Sequence, residues 1–178
     1  MTDRPAAPAQ PRTAPPRTAF LLAQLGADAA DRFAERVAAL GLTPRDAGAI
    51  RVLGRSPGIS QRELATRLGT TPSRIVPLLD SLEQRGLVGR TRSERDRRNY
   101  ELALTSTGQA LLAPLRTIAE AHQRAVLGAL TAEEQVQLAA LLSKLSAGGG
   151  LLPDAHPGYA RQPGDSSPAP APATTPTS

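Results

Sequence analysis

The sequence predicts a mainly α-helical fold with one small β-hairpin, and three observations predict it. Apolar residues recur at helical spacing on both sides of a central stretch. Helix-start signals stand where those patterns begin: Thr43-Pro44, Ser60-x-x-Glu63, Thr71-Pro72 and Thr131-x-x-Glu134. Between Ser60 and Leu104 a helix, a tight turn, a second helix and a basic hairpin follow one another without a spare residue.

Residues 1–19 are Pro/Ala-rich with no hydrophobic period, so a disordered arm is expected, and Arg4, Arg12 and Arg17 read as solvated. From Phe20 to Leu40, Leu22, Leu25, Ala29, Phe33, Val37 and Leu40 fall at spacings of three and four, giving a long amphipathic helix that Gly41 ends. Thr43-Pro44 starts the next helix, with Ala47, Ile50 and Leu53 inward until Ser56-Pro57-Gly58 breaks it. Gly58-Ile59 is placed to add a short third strand beside the hairpin.

Ser60-Gln61-Arg62-Glu63 is a capping-box sequence, in which the Ser hydroxyl takes a free helix amide and the Glu returns to the Ser amide. The helix it opens buries Leu64, Ala65 and Leu68 and stops at Gly69. Thr70-Thr71-Pro72 then offers an N-cap hydroxyl and a proline in the first turn. In the second helix Ile75, Leu78, Leu79 and Leu82 form the inner face, leaving Ser73, Pro77, Asp80 and Gln84 outward and Arg74 on the flank. Gly86 ends it. Leu87-Val88 starts one strand, and Tyr100, Leu102 and Leu104 alternate with Glu101 and Ala103 in the other. The result is a winged helix-turn-helix, whose second helix has the dimensions of a major groove. From Arg85 to Arg98 there are six Arg against Glu94 and Asp96, an excess of four in a chain whose formal net charge is +5. The positive field is concentrated at the wing.

After the wing, Thr105 caps a helix reaching about Gly128, in which Pro114 is expected to produce a bend. Thr131 and Glu134 open a last helix through Leu138, Leu141, Leu142 and Leu145. The terminal helices are too apolar to be covered by so small a core. Residues 147–178, Gly-rich and then Pro/Ala/Ser/Thr-rich, read as a disordered tail.

Composition narrows the function. With 178 residues and 40% apolar side chains, the chain suits one domain with tails. It has no cysteine, which removes disulfides, thiolate metal sites and thiol redox sensing. His122 and His156 are its only histidines, so no metal site and no cofactor are expected. His122 and Phe33 read as packing residues. The start has no apolar core of a signal peptide and no run approaches membrane-spanning length, so a cytoplasmic protein without membrane contact is expected. Neither a nucleophile-base pair nor a phosphate loop is present, which argues against an enzyme. Twenty of the 21 basic residues are Arg, a ratio that reads as genomic bias; only the clustering at the wing argues for function.

Leu42-Thr43, Glu63-Leu64-Ala65, Leu82-Glu83 before Gly86-Leu87-Val88, Arg90, Asp96-Arg97-Arg98, and Leu104-Thr105 with Gly108 resemble the MarR family of bacterial winged-helix transcription regulators. The resemblance covers residues 20–146. It implies a DNA-binding lobe at about 44–104 and helices at about 20–40 and 106–146 that intertwine in a dimerisation region. It also implies a homodimer, a recognition helix in the major groove, and a wing whose Arg98, oriented by Asp96, enters the minor groove. The candidate DNA-binding residues are Thr70, Thr71, Ser73, Arg74, Pro77, Arg90, Arg92, Arg95, Asp96, Arg97 and Arg98. The expected function is sequence-specific binding of double-stranded DNA at a pseudo-palindromic operator, as a ligand-responsive repressor whose small-molecule effector no residue identifies. The alternative is a winged-helix module that docks on another protein without specific DNA binding; Pro77, unusual inside a recognition helix, is its best support.

Overall fold

A computed structural model describes residues 17–92 and 100–149. Their order is α1 (Thr18–Ala38), α2 (Pro44–Arg55), β1 (Ile59–Ser60), α3 (Gln61–Arg67), α4 (Pro72–Gln84), β2 (Val88–Arg92), β3 (Tyr100–Leu104), α5 (Ser106–Ala110), α6 (Leu112–Leu127) and α7 (Ala132–Gly148). The three strands form one antiparallel sheet in the order β1-β3-β2, with Ile59 opposite Leu102 and Val88 opposite Leu104. The expected third strand is therefore present. Helix α1 begins at Thr18 and α7 ends at Gly148, so each runs two residues into a stretch expected to be disordered.

Local chemistry fixes the helix starts. The Thr43 hydroxyl accepts from the Asp46 amide at 3.1 Å and the Asp46 carboxylate accepts from the Thr43 amide at 2.9 Å, with Pro44 in the first turn. Thr131 and Glu134 make the same reciprocal pair. Ser60 makes only half of it. Its hydroxyl accepts from the Glu63 amide, but Glu63 turns to the Arg67 guanidinium at 2.6 Å, a charged donor one turn away that outcompetes a neutral amide. Gly69 closes α3 at φ +67°, a conformation that L side chains rarely adopt.

The helix expected from Thr105 to Gly128 is broken rather than bent. It divides at Leu111 into α5 and α6, and Pro114 lies in the first turn of α6. A proline removes the hydrogen bond to the carbonyl four residues back and crowds it. Here that residue is Ala110, the last of α5, so the effect falls upstream of the ring.

Ile50, Leu53, Leu64, Leu68, Ile75, Leu79, Leu82 and Leu102 are almost fully buried, which centres the core between α2, α3, α4 and the sheet. Gly108 brings α5 against the start of the wing: a Cβ there would lie 2.1 Å from the Leu87 carbonyl oxygen. Outside this lobe, α1 buries only Val37, α6 only Leu115, and α7 no side chain. Phe20, Leu22 and Leu25 on α1 and Val136, Leu141 and Leu145 on α7 stay exposed.

Candidate nucleic-acid interface

Helix α4 presents the outward face that its periodicity implies. Ile75, Leu79 and Leu82 are buried and Leu78 half-buried, while Ser73, Arg74 and Pro77 are exposed. Its start differs from expectation. Thr71 is extended ahead of Pro72, but its hydroxyl makes no bond to the helix backbone and lies 3.0 Å from the Ser73 hydroxyl. Two hydroxyls thus meet at the exposed tip of the helix, with Thr70 half-buried beside them. A recess of about 700 Å³ runs between this tip and the start of α2, lined by Thr43, Arg45, Thr70, Ser73, Arg74 and Pro77 among others.

Two arginines counted in the basic stretch face inward. The Arg90 guanidinium pairs with Asp80, and its Nε lies 3.2 Å from Glu83 Oε2. Its side chain is 22% exposed, so the first arginine of the wing bridges the wing to α4. Arg85, just past α4, donates to the Asp46 carboxylate at 3.1 Å and to the Gly41 carbonyl at 2.6 Å. Asp46 is the buried charge that this contact and the Thr43 cap satisfy together. The recognition helix is thereby held at both neighbours: to the wing by Arg90 and to the start of α2 by Arg85.

The sequence marked Thr43 as a helix start but did not single out Asp46, and nothing local joins Asp46 to Arg85, 39 residues away. The sequence marked Asp80 only as an outward residue and Glu83 only through the family resemblance, neither as a partner of Arg90. Arg92 is exposed at the end of β2. Arg95, Asp96, Arg97 and Arg98 lie outside the described residues, as does the expected pairing of Asp96 with Arg98.

A second cleft of about 700 Å³ opens between α1, α2 and α6. Ala29, Ala30, Phe33 and Leu115 give it apolar walls, and Arg51, Arg55 and Arg116 stand at its lining. Phe33 and His122, expected as packing residues, face each other across it with ring centroids 5.4 Å apart. The His122 Nδ1 is enclosed and makes no hydrogen bond. Burial, then the charges of Arg36 and Arg32, lower its pKa from the usual 6.5. Among the described residues no group of three or more His, Cys, Asp or Glu is placed to hold a metal ion, and no helix is long and apolar enough to cross a membrane.

The sequence profile of the MarR family matches residues 40–99. The chain is 33% identical over 126 residues to the HTH-type transcriptional repressor Rv2887 of Mycobacterium tuberculosis, covering 71% of this chain and 91% of that protein. Among solved structures, the transcriptional repressor CouR bound to a 23-mer DNA duplex superposes with a TM-score of 0.67 at 33% identity, over 72% of this chain and 91% of that one. Rv2887 in complex with salicylic acid superposes with a TM-score of 0.58 at 33% identity, over 75% of this chain and 98% of that one.

Proposed function

This chain belongs to the MarR family, and from that premise we propose that it is a ligand-responsive transcriptional repressor that binds a pseudo-palindromic operator as a homodimer in the cytoplasm. One observation carries the reading: α4 turns Ser73, Arg74 and Pro77 outward, its acidic Asp80 and Glu83 are paired with Arg90, and Arg85 and Arg90 tie the helix to the rest of the lobe. A helix held in that way keeps its orientation when it enters a major groove.

Contacts divide by chemistry. Ser73 and Arg74 reach base edges or phosphates from the start of α4, Thr70 and Thr71 stand where phosphate would pass, and Arg92 continues the positive edge into the wing. Arg95, Arg97 and Arg98 extend that edge, with Asp96 orienting Arg98 for the minor groove. Arg90 acts through α4 rather than on the nucleic acid.

The exposed apolar faces of α1 and α7 form the dimer, so that two copies of α4 address half-sites about one helical turn apart. The cleft between α1, α2 and α6 lies where the dimer helices meet the DNA-binding lobe. Its apolar walls and three arginines suit a small aromatic anion, the kind of ligand that Rv2887 carries in its salicylic acid complex. Such a ligand would repress or release by favouring one spacing of the two recognition helices over another. The function is binding, with no turnover.

Selection of random duplex fragments by the purified protein at two salt concentrations tests this reading. The expected result is an inverted-repeat motif whose binding weakens steeply as salt rises. Salt-insensitive binding without a preferred sequence would overturn it and favour a protein-docking module.

A further inference from the structure

Pro77 stands inside α4, beyond its first turn, and is exposed. In a regular helix the amide of residue 77 would donate to the Ser73 carbonyl, four residues back. Proline has no amide hydrogen, so that carbonyl lacks its partner four residues on, and the ring crowds it. The Ser73 hydroxyl is occupied elsewhere, 3.0 Å from the Thr71 hydroxyl. Residues 73 and 77 share one side of the helix, because positions four apart are neighbours on its surface.

Ser73 and Pro77 share the recess at the start of α2 with Arg45 and Arg74. Asp80 and Glu83, the acidic residues of α4, are held by Arg90. Arg74 stands on the flank, and Ser81 continues the ridge from Pro77 without charge. The N-terminal half of the recognition helix therefore presents one hydrogen-bond acceptor next to one rigid apolar ring. A base pair that matches both must offer a donor and a methyl group. In the major groove only the A·T pair does so, with the adenine N6 amino group and the thymine C5-methyl; the G·C pair offers the cytosine amino donor but no methyl.

We propose that Ser73 and Pro77 form a reader of one A·T pair in each half-site, the Pro77 ring packing on the thymine methyl and the Ser73 backbone carbonyl accepting from adenine N6. This deepens the DNA-binding reading and rests on it. The proline is then a specificity-determining residue that gains its acceptor by breaking the helix's own hydrogen bond.

The test uses the full chain and its selected operator, with each thymine replaced in turn by uracil, which lacks only the methyl group. At one thymine per half-site the wild-type protein is expected to lose about four-fold in affinity, the equivalent of one buried methyl group. Pro77→Ala is expected to bind the operator without that loss and to accept G·C at the same position. Ser73→Ala, which keeps both carbonyl and ring, is expected to retain the uracil sensitivity. Wild-type indifference to uracil at every thymine would overturn the proposal, as would an undiminished loss in Pro77→Ala. If selection yields no preferred sequence at all, the DNA-binding reading itself fails before the uracil series begins.

Discussion

Ile75, Leu79 and Leu82 on α4 are fully buried, whereas Val136, Leu141 and Leu145 on α7 are 71%, 62% and 61% exposed, although both sets are apolar residues on helices of similar length. The lobe built on α2, α3, α4 and the sheet closes around its own core. The terminal helices do not, since α1 and α6 each bury one side chain in that core, with Phe33, Leu112 and Ile118 only partly covered, and α7 buries none. An apolar face at helical spacing announces that it will be buried, and the fold decides whether the cover comes from the same chain. For α1 and α7 the proposed cover is a second copy.

The comparison is broken most directly on α7. Leu141→Asp with Leu145→Asp should leave the lobe folded and separate the two copies, lowering operator affinity by about 10²- to 10⁴-fold through loss of the second half-site; fluorescence anisotropy with a labelled duplex measures it. An operator bound as tightly by the double variant would remove the dimer from the account. On the other side, Leu79→Ala should cost about 2–5 kcal/mol of stability in urea unfolding, because it leaves a cavity in a closed core.

Within the lobe, Arg98 and Arg90 separate contact from positioning. Arg98→Ala should cost about 1–3 kcal/mol in DNA affinity and reduce the salt slope by about one unit. Arg90→Ala should lower affinity with the slope unchanged, since its guanidinium is committed to Asp80 and Glu83. Equal slope changes in the two variants would show Arg90 on phosphate after all.

The smallest effect belongs to the cleft. The folded chain holds a proton on His122 less readily than the unfolded chain, because its pKa is lowered. The unfolded state therefore binds more protons as pH falls through the usual histidine range, and stability falls with it. His122→Gln should flatten that pH dependence in thermal unfolding, and an unchanged profile would assign the acid sensitivity to other groups.

Much of the lobe was legible because its signals are local. Thr43 starts α2 as its Thr-Pro pair implied, and Gly69 closes α3 in the left-handed conformation its position implied; outside the lobe, Thr131 with Glu134 forms the expected capping box. Ser60 misled by half, since Arg67 one turn on competes for Glu63. Pro114 marked a disturbance but placed it too far downstream, because a proline acts on the carbonyl of Ala110. The site was legible as a face and not as a network. Arg90 and Arg85 looked like free positive charge, and only the packing of the wing and of α2 against α4 brings Asp80, Glu83 and Asp46 to them. Phe33 and His122 belong to helices whose distance in sequence hid the cleft between them.

Sedimentation velocity of the full chain over a range of concentrations, alone and with a duplex carrying one selected inverted repeat, tests the central claim most directly. A dimer in the free protein and two chains per duplex in the complex are expected. A monomer that binds the duplex singly and with full affinity would contradict it, for the apolar faces of α1 and α7 would then have no cover and the two-fold operator no reader.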